Sequence, residues 1–278
     1  MEYITFANGV KMPRLGHGLW RVPGDNVHNV VASALQAGYR TFDTAMIYRN
    51  EKELGDALKL CSVPRDELFI SSKLWNEYLR QGTEDECFQQ SLKLVNVDYF
   101  DMYMIHWPVP GKYVHAWEYL IRQYEAGKIR VLGACNMHIH MLETLKKETG
   151  VLPMLLQVEC NPLMSQKELL AYCRENGIVM QAYSPLMQGE SLNESVIKEI
   201  AACHGRTPAQ VILRWHLQNG ICVIPRSQNP IRQKENIDVF DFELTADEMQ
   251  TIDKLNQNKR LCADPDHLIF NPLKVLKT

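Results

Sequence analysis

The sequence has no cluster of lysine or arginine and no long apolar stretch. Its 278 residues include 30 Lys and Arg against 33 Asp and Glu, so the formal net charge is -3. A weakly acidic chain without a basic cluster lacks the charge pattern that binds nucleic acid or an anionic membrane. Nowhere do ~18 uncharged apolar residues follow one another, and the N-terminus has no basic segment before an apolar one. We therefore expect a cytoplasmic protein that binds neither nucleic acid nor membrane.

The sequence also lacks paired cysteines and a recognisable set of metal ligands. Its eight cysteines contain no C-x-x-C pair and are spread through apolar segments, which predicts reduced and mostly buried thiols. His138 and His140 are two residues apart and would point in different directions on a helix, and no cysteine cluster completes a ligand set. We predict no metal site.

The length and composition suit one large soluble domain. Apolar residues make up 46% of the chain and charged residues 23%, which is typical of a globular protein with a substantial core. No linker or low-complexity segment divides residues 1–278. We expect a single domain, and a monomer is the simplest oligomeric state.

Short apolar runs alternate with segments of helical periodicity along most of the chain. This alternation is typical of βα units and a parallel sheet. Before it, residues 4–6 and 10–12 flank Asn8-Gly9, which predicts an N-terminal β-hairpin with a type I′ turn. One predicted helix carries its apolar residues on one face from Val27 to Leu35 and stops at Gly38; another covers residues 166–175. The predicted strands are residues 14–18, 40–43, 68–73, 100–105, 131–134, 155–159, 179–183 and 222–224.

Eight such strands with intervening helices indicate the α/β class and a (β/α)₈ TIM barrel. In that fold the active site lies at the carboxyl ends of the strands. Asp43 and Lys73 end the second and third predicted strands, and His106 directly follows the fourth. Tyr48 comes five residues after Asp43. The fold therefore predicts that an acid, an amine, an imidazole and a phenol meet at one rim.

These four side chains are suited to the reduction of a carbonyl group. A phenol has a pKa of about 10, and a neighbouring ammonium such as Lys73 is expected to lower it by ~1–3 units. Asp43 would keep Lys73 charged and in place. His106 would hydrogen-bond the substrate oxygen and align it. We predict that a hydride reaches the carbonyl carbon while Tyr48 protonates the oxygen.

Seven motifs occur in order across nearly the whole chain: DTAxxYxNE, SSKLWN, IHWP, GACN, QVE, AYSPL and IPRS. In these motifs the sequence resembles the aldo-keto reductases, and especially a small short-loop branch that includes prostaglandin F synthases and diketogluconate or methylglyoxal reductases. Asp43, Tyr48, Lys73 and His106 match the catalytic tetrad of that family.

The resemblance implies that NADPH is the cofactor and suggests which residues hold it. Two arginines near one phosphate suit bidentate binding and favour NADPH over NADH. The chain departs from the usual family pattern at Cys135, where Ser is common, at Arg226, where Lys is common, and at Asn161, where His is common. The implied residues for the nicotinamide are Cys135, Asn136, Gln157 and Tyr183, and Ser184 and Leu186 are further cofactor-binding residues. Those for the adenosine and its 2′-phosphate are Arg226, Ser227, Arg232, Glu235 and Asn236.

Trp20, Trp75 and Trp107 follow rim strands, where they either line a substrate pocket, as the resemblance implies, or merely cap the barrel. Few residues separate the HWP motif from the next helix, and only residues 262–278 follow the last one. These short segments predict an open pocket for small-molecule carbonyl substrates. Methylglyoxal, sugar aldehydes and prostaglandin endoperoxides all fit such a pocket.

Two other functions compete with this interpretation. Gly16-His17-Gly18 begins the G-x-G of a Rossmann dehydrogenase, and Tyr48 and Lys52 form Y-x-x-x-K, the catalytic pair of short-chain dehydrogenases. The glycine motif lacks its third glycine and opens no helix, and Y-x-x-x-K lies too early in the chain. The second alternative is an NADPH-binding barrel that acts as a non-catalytic redox sensor or subunit. The intact tetrad favours an enzyme.

Overall fold

A computed structural model describes residues 1–267. The chain begins with an antiparallel hairpin of β1 (Tyr3–Thr5) and β2 (Lys11–Pro13), which confirms the predicted hairpin. The predicted type I′ turn is wrong, because of its two central residues only Gly9 has a positive φ, 83°. Gly9 N donates to Phe6 O at 2.8 Å, so the central residues of the turn are 7 and 8 and not 8 and 9. Gly9 follows the turn in the left-handed conformation.

Eight parallel strands follow and pair in the order of the sequence. A parallel bridge between Leu15 and Val223 joins the first strand to the last, with Gly16 N donating to Val223 O at 2.9 Å. This contact closes the sheet and confirms the predicted barrel. The strands are β3 (His17–Gly18), β4 (Thr41–Asp43), β5 (Phe69–Leu74), β6 (Phe100–Ile105), β7 (Ile129–Cys135), β8 (Leu155–Glu159), β9 (Val179–Tyr183) and β10 (Cys222–Val223).

Helices connect successive strands and pack around the outside of the barrel. The first buries Val27, Val30 and Ala34 and ends at Gly38, whose φ of 104° is accessible to glycine. The helices are α1 (Gly24–Ala37), α2 (Glu51–Leu60), α3 (Asn76–Gln81), α4 (Glu84–Val95), α5 (Tyr113–Glu125), α6 (Ile139–Thr149), α7 (Lys167–Glu175), α8 (Ser195–His204), α9 (Pro208–Gln218), α10 (Pro230–Ile237) and α11 (Ala246–Asp253). Within residues 1–267, none of them is long and apolar enough to cross a membrane.

The side chains of the strands alternate between the barrel interior and the helical layer. Along β6, Met102 and Met104 belong to the interior cluster, whereas Tyr103 and Ile105 pack with the helices. Phe6 and Met12 of the hairpin join the interior cluster, so the hairpin covers one end of the barrel. The opposite end, where the strands have their carboxyl termini, is left for polar side chains.

All eight cysteines lie in the described part of the chain, and none forms a disulfide. Cys87, Cys135, Cys160, Cys173 and Cys222 are buried, and only Cys203 is exposed. The prediction of mostly buried thiols is confirmed, and their reduced state stays a prediction.

Candidate active site

Three strand ends and one short turn bring the predicted tetrad together. Asp43 ends β4, Lys73 lies near the end of β5 and His106 follows β6, while Tyr48 ends the 3₁₀ turn Met46–Tyr48. Lys73 Nζ lies 2.5 Å from Asp43 Oδ2 and 5.2 Å from the centre of the Tyr48 ring. The Tyr48 and His106 ring centres are 5.7 Å apart, with their planes at 79°.

Further hydrogen bonds fix both members of the ion pair between Asp43 and Lys73. Lys73 Nζ also donates to the Thr44 carbonyl at 2.8 Å. Asp43 Oδ1 accepts from Ser71 Oγ at 2.8 Å and from Gln157 Nε2 at 3.1 Å. Burial is the largest single influence and acts to lower the pKa of Lys73, but Asp43, Tyr48 and Cys135 together outweigh it, so the net pKa is raised. The amine therefore stays charged although it is fully buried.

The pKa of Tyr48 moves in the direction opposite to the predicted one. Burial of the phenol raises its pKa above the ordinary value of 10, and the opposing effect of the Lys73 ammonium does not cancel this. The sequence showed the ammonium but not the loss of water around the ring. Tyr48 is therefore protonated at neutral pH, which is the form that a proton donor needs.

His106 is held in its neutral form. Burial lowers its pKa well below 6.5, and the nearby Lys73 ammonium lowers it further. Its ring packs edge-on against Trp75 at 5.4 Å. A neutral imidazole can donate one hydrogen bond, and it adds no positive charge to the cleft.

A cleft of about 1040 Å³ opens above the tetrad and runs to the loop after β10. Of the sequence-predicted site residues, all except Lys73 and Cys135 line it. They are Trp20, Asp43, Tyr48, Trp75, His106, Trp107, Asn136, Gln157, Tyr183, Ser184, Leu186, Arg226, Ser227, Arg232, Glu235 and Asn236.

Asn136 and Tyr183 are joined by a hydrogen bond on the wall of the cleft. Asn136 adopts a left-handed φ of 58°, donates from Nδ2 to the His106 carbonyl at 2.9 Å and accepts from the Tyr183 hydroxyl at 2.8 Å. Cys135 faces the other way. Its Sγ lies 3.6 Å from Met104 Sδ and 3.8 Å from Gln157 Oε1, inside the barrel and below the floor of the cleft.

The far end of the cleft carries three arginines, of which sequence reasoning identified two. Arg226 and Arg232 flank the start of α10, and Arg21 follows Trp20, with its guanidinium 4.2 Å from the centre of the Trp20 ring. Burial and then the charge of Arg21 lower the pKa of Arg226, so these two cations are close. Within residues 1–267, none of the three forms an ion pair with a carboxylate. No motif marks Arg21, because its contact with this site depends on the closure of the barrel.

The structure brings together one group of ligand-type side chains that sequence reasoning missed. His138 Nε2 lies 2.9 Å from Asp264, and His140 Nε2 lies 2.8 Å from Asp266. His138, Asp264 and Asp266 have ligand atoms within 4.8 Å of one another. These partially exposed groups already pair with each other and attach residues 264–266 to the start of α6. The absence of a metal site stays a prediction.

Comparison with known proteins identifies the family. Residues 12–257 match the model of the aldo/keto reductase family. Glyoxal reductase of Bacillus subtilis (strain 168) is 46% identical over 97% of this chain and 98% of its own length. Methylglyoxal reductase DkgA of Escherichia coli O157:H7 is 45% identical over 95% of this chain and 96% of its own.

A solved structure of a Gox0644 mutant in complex with NADPH superposes with a TM-score of 0.92 and 38% identity. It covers 97% of this chain and 99% of the other. The tetrad geometry, the closed barrel and a family match over most of the sequence agree, and the chain therefore belongs to the aldo/keto reductase family.

Proposed function

We propose that this protein reduces aldehydes and ketones to alcohols with NADPH, and that Tyr48 delivers the proton to the carbonyl oxygen. The observation that carries the proposal is the buried Asp43–Lys73 ion pair beside the protonated Tyr48 phenol. The family match and the NADPH complex of the similar Gox0644 structure support the same reaction.

The cleft carries arginines at one end and has a volume of about 1040 Å³, both of which suit NADPH. When bound, NADPH supplies the hydride. Arg226 and Arg232, without carboxylate partners among the described residues, suit the 2′-phosphate, and Glu235 and Asn236 line the cleft beside them. At the other end, Asn136 and Gln157 present amide groups to the cleft, and Tyr183 offers a ring. Cys135 lies beneath this wall, so its contribution is indirect.

The tetrad divides the proton chemistry between its members. His106, as a neutral donor, holds the carbonyl oxygen within reach of the Tyr48 hydroxyl. As negative charge develops on that oxygen, the Tyr48 proton moves to it. The Lys73 ammonium stabilises the resulting phenolate, and Asp43 keeps the ammonium charged and oriented.

The substrate class follows from the mouth of the cleft. Trp20, Trp75 and Trp107 line it with apolar surface, and the segment before α5 is short because the helix begins at Tyr113. The predicted short C-terminal segment, residues 262–278, lies partly outside the described residues. We propose small aldehydes as substrates, with glyoxal and methylglyoxal first, since two similar proteins carry these names. Unpaired cysteines support a cytoplasmic location, and a monomer is the simplest state.

The test is Tyr48→Phe. The ring and its packing remain, and only the proton donor is lost. We expect turnover of methylglyoxal to fall by ~10²–10⁴-fold, which is the typical contribution of general acid catalysis, while NADPH affinity, measured by fluorescence quenching, changes by less than about twofold.

Retained turnover in this variant would contradict the role of Tyr48. The non-catalytic alternative would stand if the unmodified protein bound NADPH but consumed none with a broad panel of aldehydes, ketones and quinones.

A further inference from the structure

Two polar side chains are completely buried beneath the loop that carries the arginines at the far end of the cleft. His17 lies in β3 and Gln233 in α10, and each has no exposed surface. His17 packs edge-on against Tyr39, with ring centres 5.3 Å apart, and lies 6.4 Å from the Phe42 ring. Neither residue lines the cleft or belongs to the tetrad.

Both side chains reach the same backbone carbonyl. His17 Nε2 lies 2.9 Å from Ser227 O, and Gln233 Nε2 lies 3.0 Å from it. The second proton of the Gln233 amide points to the Val30 carbonyl in α1, at 3.1 Å. Because two carbonyl groups face the Gln233 nitrogen, that atom must be the donor. His17 then donates from Nε2 as well, and both acceptor positions of Ser227 O are filled.

This arrangement leaves two buried acceptors without a partner. His17 Nδ1 and Gln233 Oε1 have no hydrogen-bond partner among the described residues. An unpaired polar atom in a protein interior is unfavourable. Two apolar side chains of similar size would pack among Tyr39, Phe42 and Val30 without that cost. The stability of the barrel therefore does not explain why two polar residues occupy these positions. Their hydrogen bonds to the Ser227 carbonyl do explain it.

Ser227 stands at the centre of the arginine loop. Its hydroxyl bonds to the backbone of Asn229 in both directions, at 3.1 and 3.2 Å. Asn229 Oδ1 in turn accepts from the backbone nitrogens of Ile231 and Arg232 and caps α10. The two hydrogen bonds that His17 and Gln233 donate to the Ser227 carbonyl thus determine the position of Arg226 and of the start of α10 relative to the cleft.

We infer that His17 and Gln233 are positioning residues that set the preference for NADPH over NADH by holding Ser227 and, through it, Arg226 and Arg232. The inference rests on the proposed function, in which these arginines bind the 2′-phosphate. It concerns affinity for that phosphate and not the chemical step, because the tetrad lies at the other end of the cleft.

The variants His17→Leu and Gln233→Met each remove one donor to the Ser227 carbonyl while they fill the space with apolar atoms, and Gln233→Met also removes the hydrogen bond to the Val30 carbonyl. His17→Gln is the matched control, since a glutamine amide nitrogen can replace Nε2 of the imidazole. Binding of NADPH and of NADH is measured separately by quenching of tryptophan fluorescence. The turnover number at saturating NADPH and the thermal unfolding midpoint are measured for the same preparations.

We expect His17→Leu and Gln233→Met each to weaken NADPH binding by about fivefold or more, the effect of one lost hydrogen bond. NADH binding should change by less than about twofold, because NADH carries no 2′-phosphate for the arginines to bind. The turnover number should also change by less than about twofold, because the variants leave the tetrad intact. His17→Gln should restore NADPH affinity. If His17→Leu does not fold, Gln233→Met and His17→Gln still give the comparison.

Equal losses for NADPH and NADH, or a His17→Gln variant as impaired as His17→Leu, would overturn the inference. Arg232→Ala separates it from the proposed function. If Arg232→Ala lowers the NADPH preference and the His17 and Gln233 variants do not, only the positioning role is wrong. If Arg232→Ala leaves the preference unchanged, the phosphate site itself is misassigned and the inference fails with it, whereas Tyr48→Phe still tests the proposed reduction.

Discussion

Asp43 and Lys73 form an ion pair that is almost completely removed from water. Such a pair is costly to bury, but it is more costly to break, because the remaining charge loses its partner. In this protein the pair also touches Tyr48 through the Lys73 ammonium. Under the proposed function, activity and stability therefore depend on the same two side chains in different ways.

We predict that Lys73→Met removes turnover and lowers the free energy of unfolding by about 3–5 kcal/mol, since it leaves Asp43 as an uncompensated buried charge. The double variant Asp43→Leu/Lys73→Met should regain most of that stability and no activity. Urea unfolding and NADPH oxidation assays measure the two effects. A double variant as unstable as Lys73→Met would mean that packing, and not charge, causes the loss.

At the level of the single residue, the sequence predicted that the four tetrad side chains meet, because three of them stand at strand ends and Tyr48 follows Asp43 in the same loop. It misjudged the pKa of Tyr48, since the pKa depends on how much water the fold removes from the phenol. It also placed Cys135 beside the nicotinamide. The side chain points inward from β7 towards Met104, a choice between two faces of the strand that the motif does not reveal.

At the level of the element, α10 carries three residues of the proposed adenosine site and begins with a strong cap. Asn229 accepts from two backbone nitrogens at its N-terminus, and Pro230 occupies the first turn. Helix α11 begins with the comparable cap of Thr245, which forms a capping box with Glu248 and lies away from the cleft. The two caps allow stability to be separated from binding.

We predict that Asn229→Ala and Thr245→Ala each lower the free energy of unfolding by about 1 kcal/mol. Only Asn229→Ala should weaken NADPH binding, because it releases the start of α10 that carries Arg232. Thermal or urea unfolding and fluorescence titration measure the two effects. The interpretation fails if Thr245→Ala weakens NADPH binding to the same extent.

For the molecule as a whole, buried histidines make stability sensitive to acid. His216 has no exposed surface, and its ring nitrogens face the carbonyls of Ile212 and Cys160. Burial lowers its pKa from 6.5 to about 4, and the same cause lowers that of His17 to about 4. Between pH 6.5 and 4 these histidines are protonated in the unfolded chain but remain neutral in the folded one. The free energy of unfolding is therefore highest above pH 6.5 and decreases as the pH falls towards 4.

We predict that His216→Gln reduces this acid sensitivity. Between pH 7 and pH 5, His216 should account for about 2 kcal/mol of the lost unfolding free energy. Whatever its stability at pH 7, the variant should lose that much less unfolding free energy on acidification than the unmodified protein does. Urea unfolding at the two pH values gives the comparison, and parallel pH dependences would show that His216 does not titrate in this window.

The sequence by itself determined the barrel and the end of it at which the tetrad side chains meet. Apolar periodicity is a local property, and a parallel βα order brings the carboxyl ends of neighbouring strands to one rim. Asp43, Lys73 and His106 could therefore be placed together although they are distant along the chain. The hairpin was equally local, and only its turn type was wrong.

Tertiary structure alone decided everything that depends on contacts between distant segments. The approach of Arg21 to Arg226 and the meeting of His17 with Gln233 under Ser227 arise when the end of the barrel closes onto its beginning. The burial that raises the pKa of Tyr48 depends on side chains from later strands, such as His106. Periodicity shows which face of a strand is buried, but it does not show which side chain from the other end of the chain will lie against it.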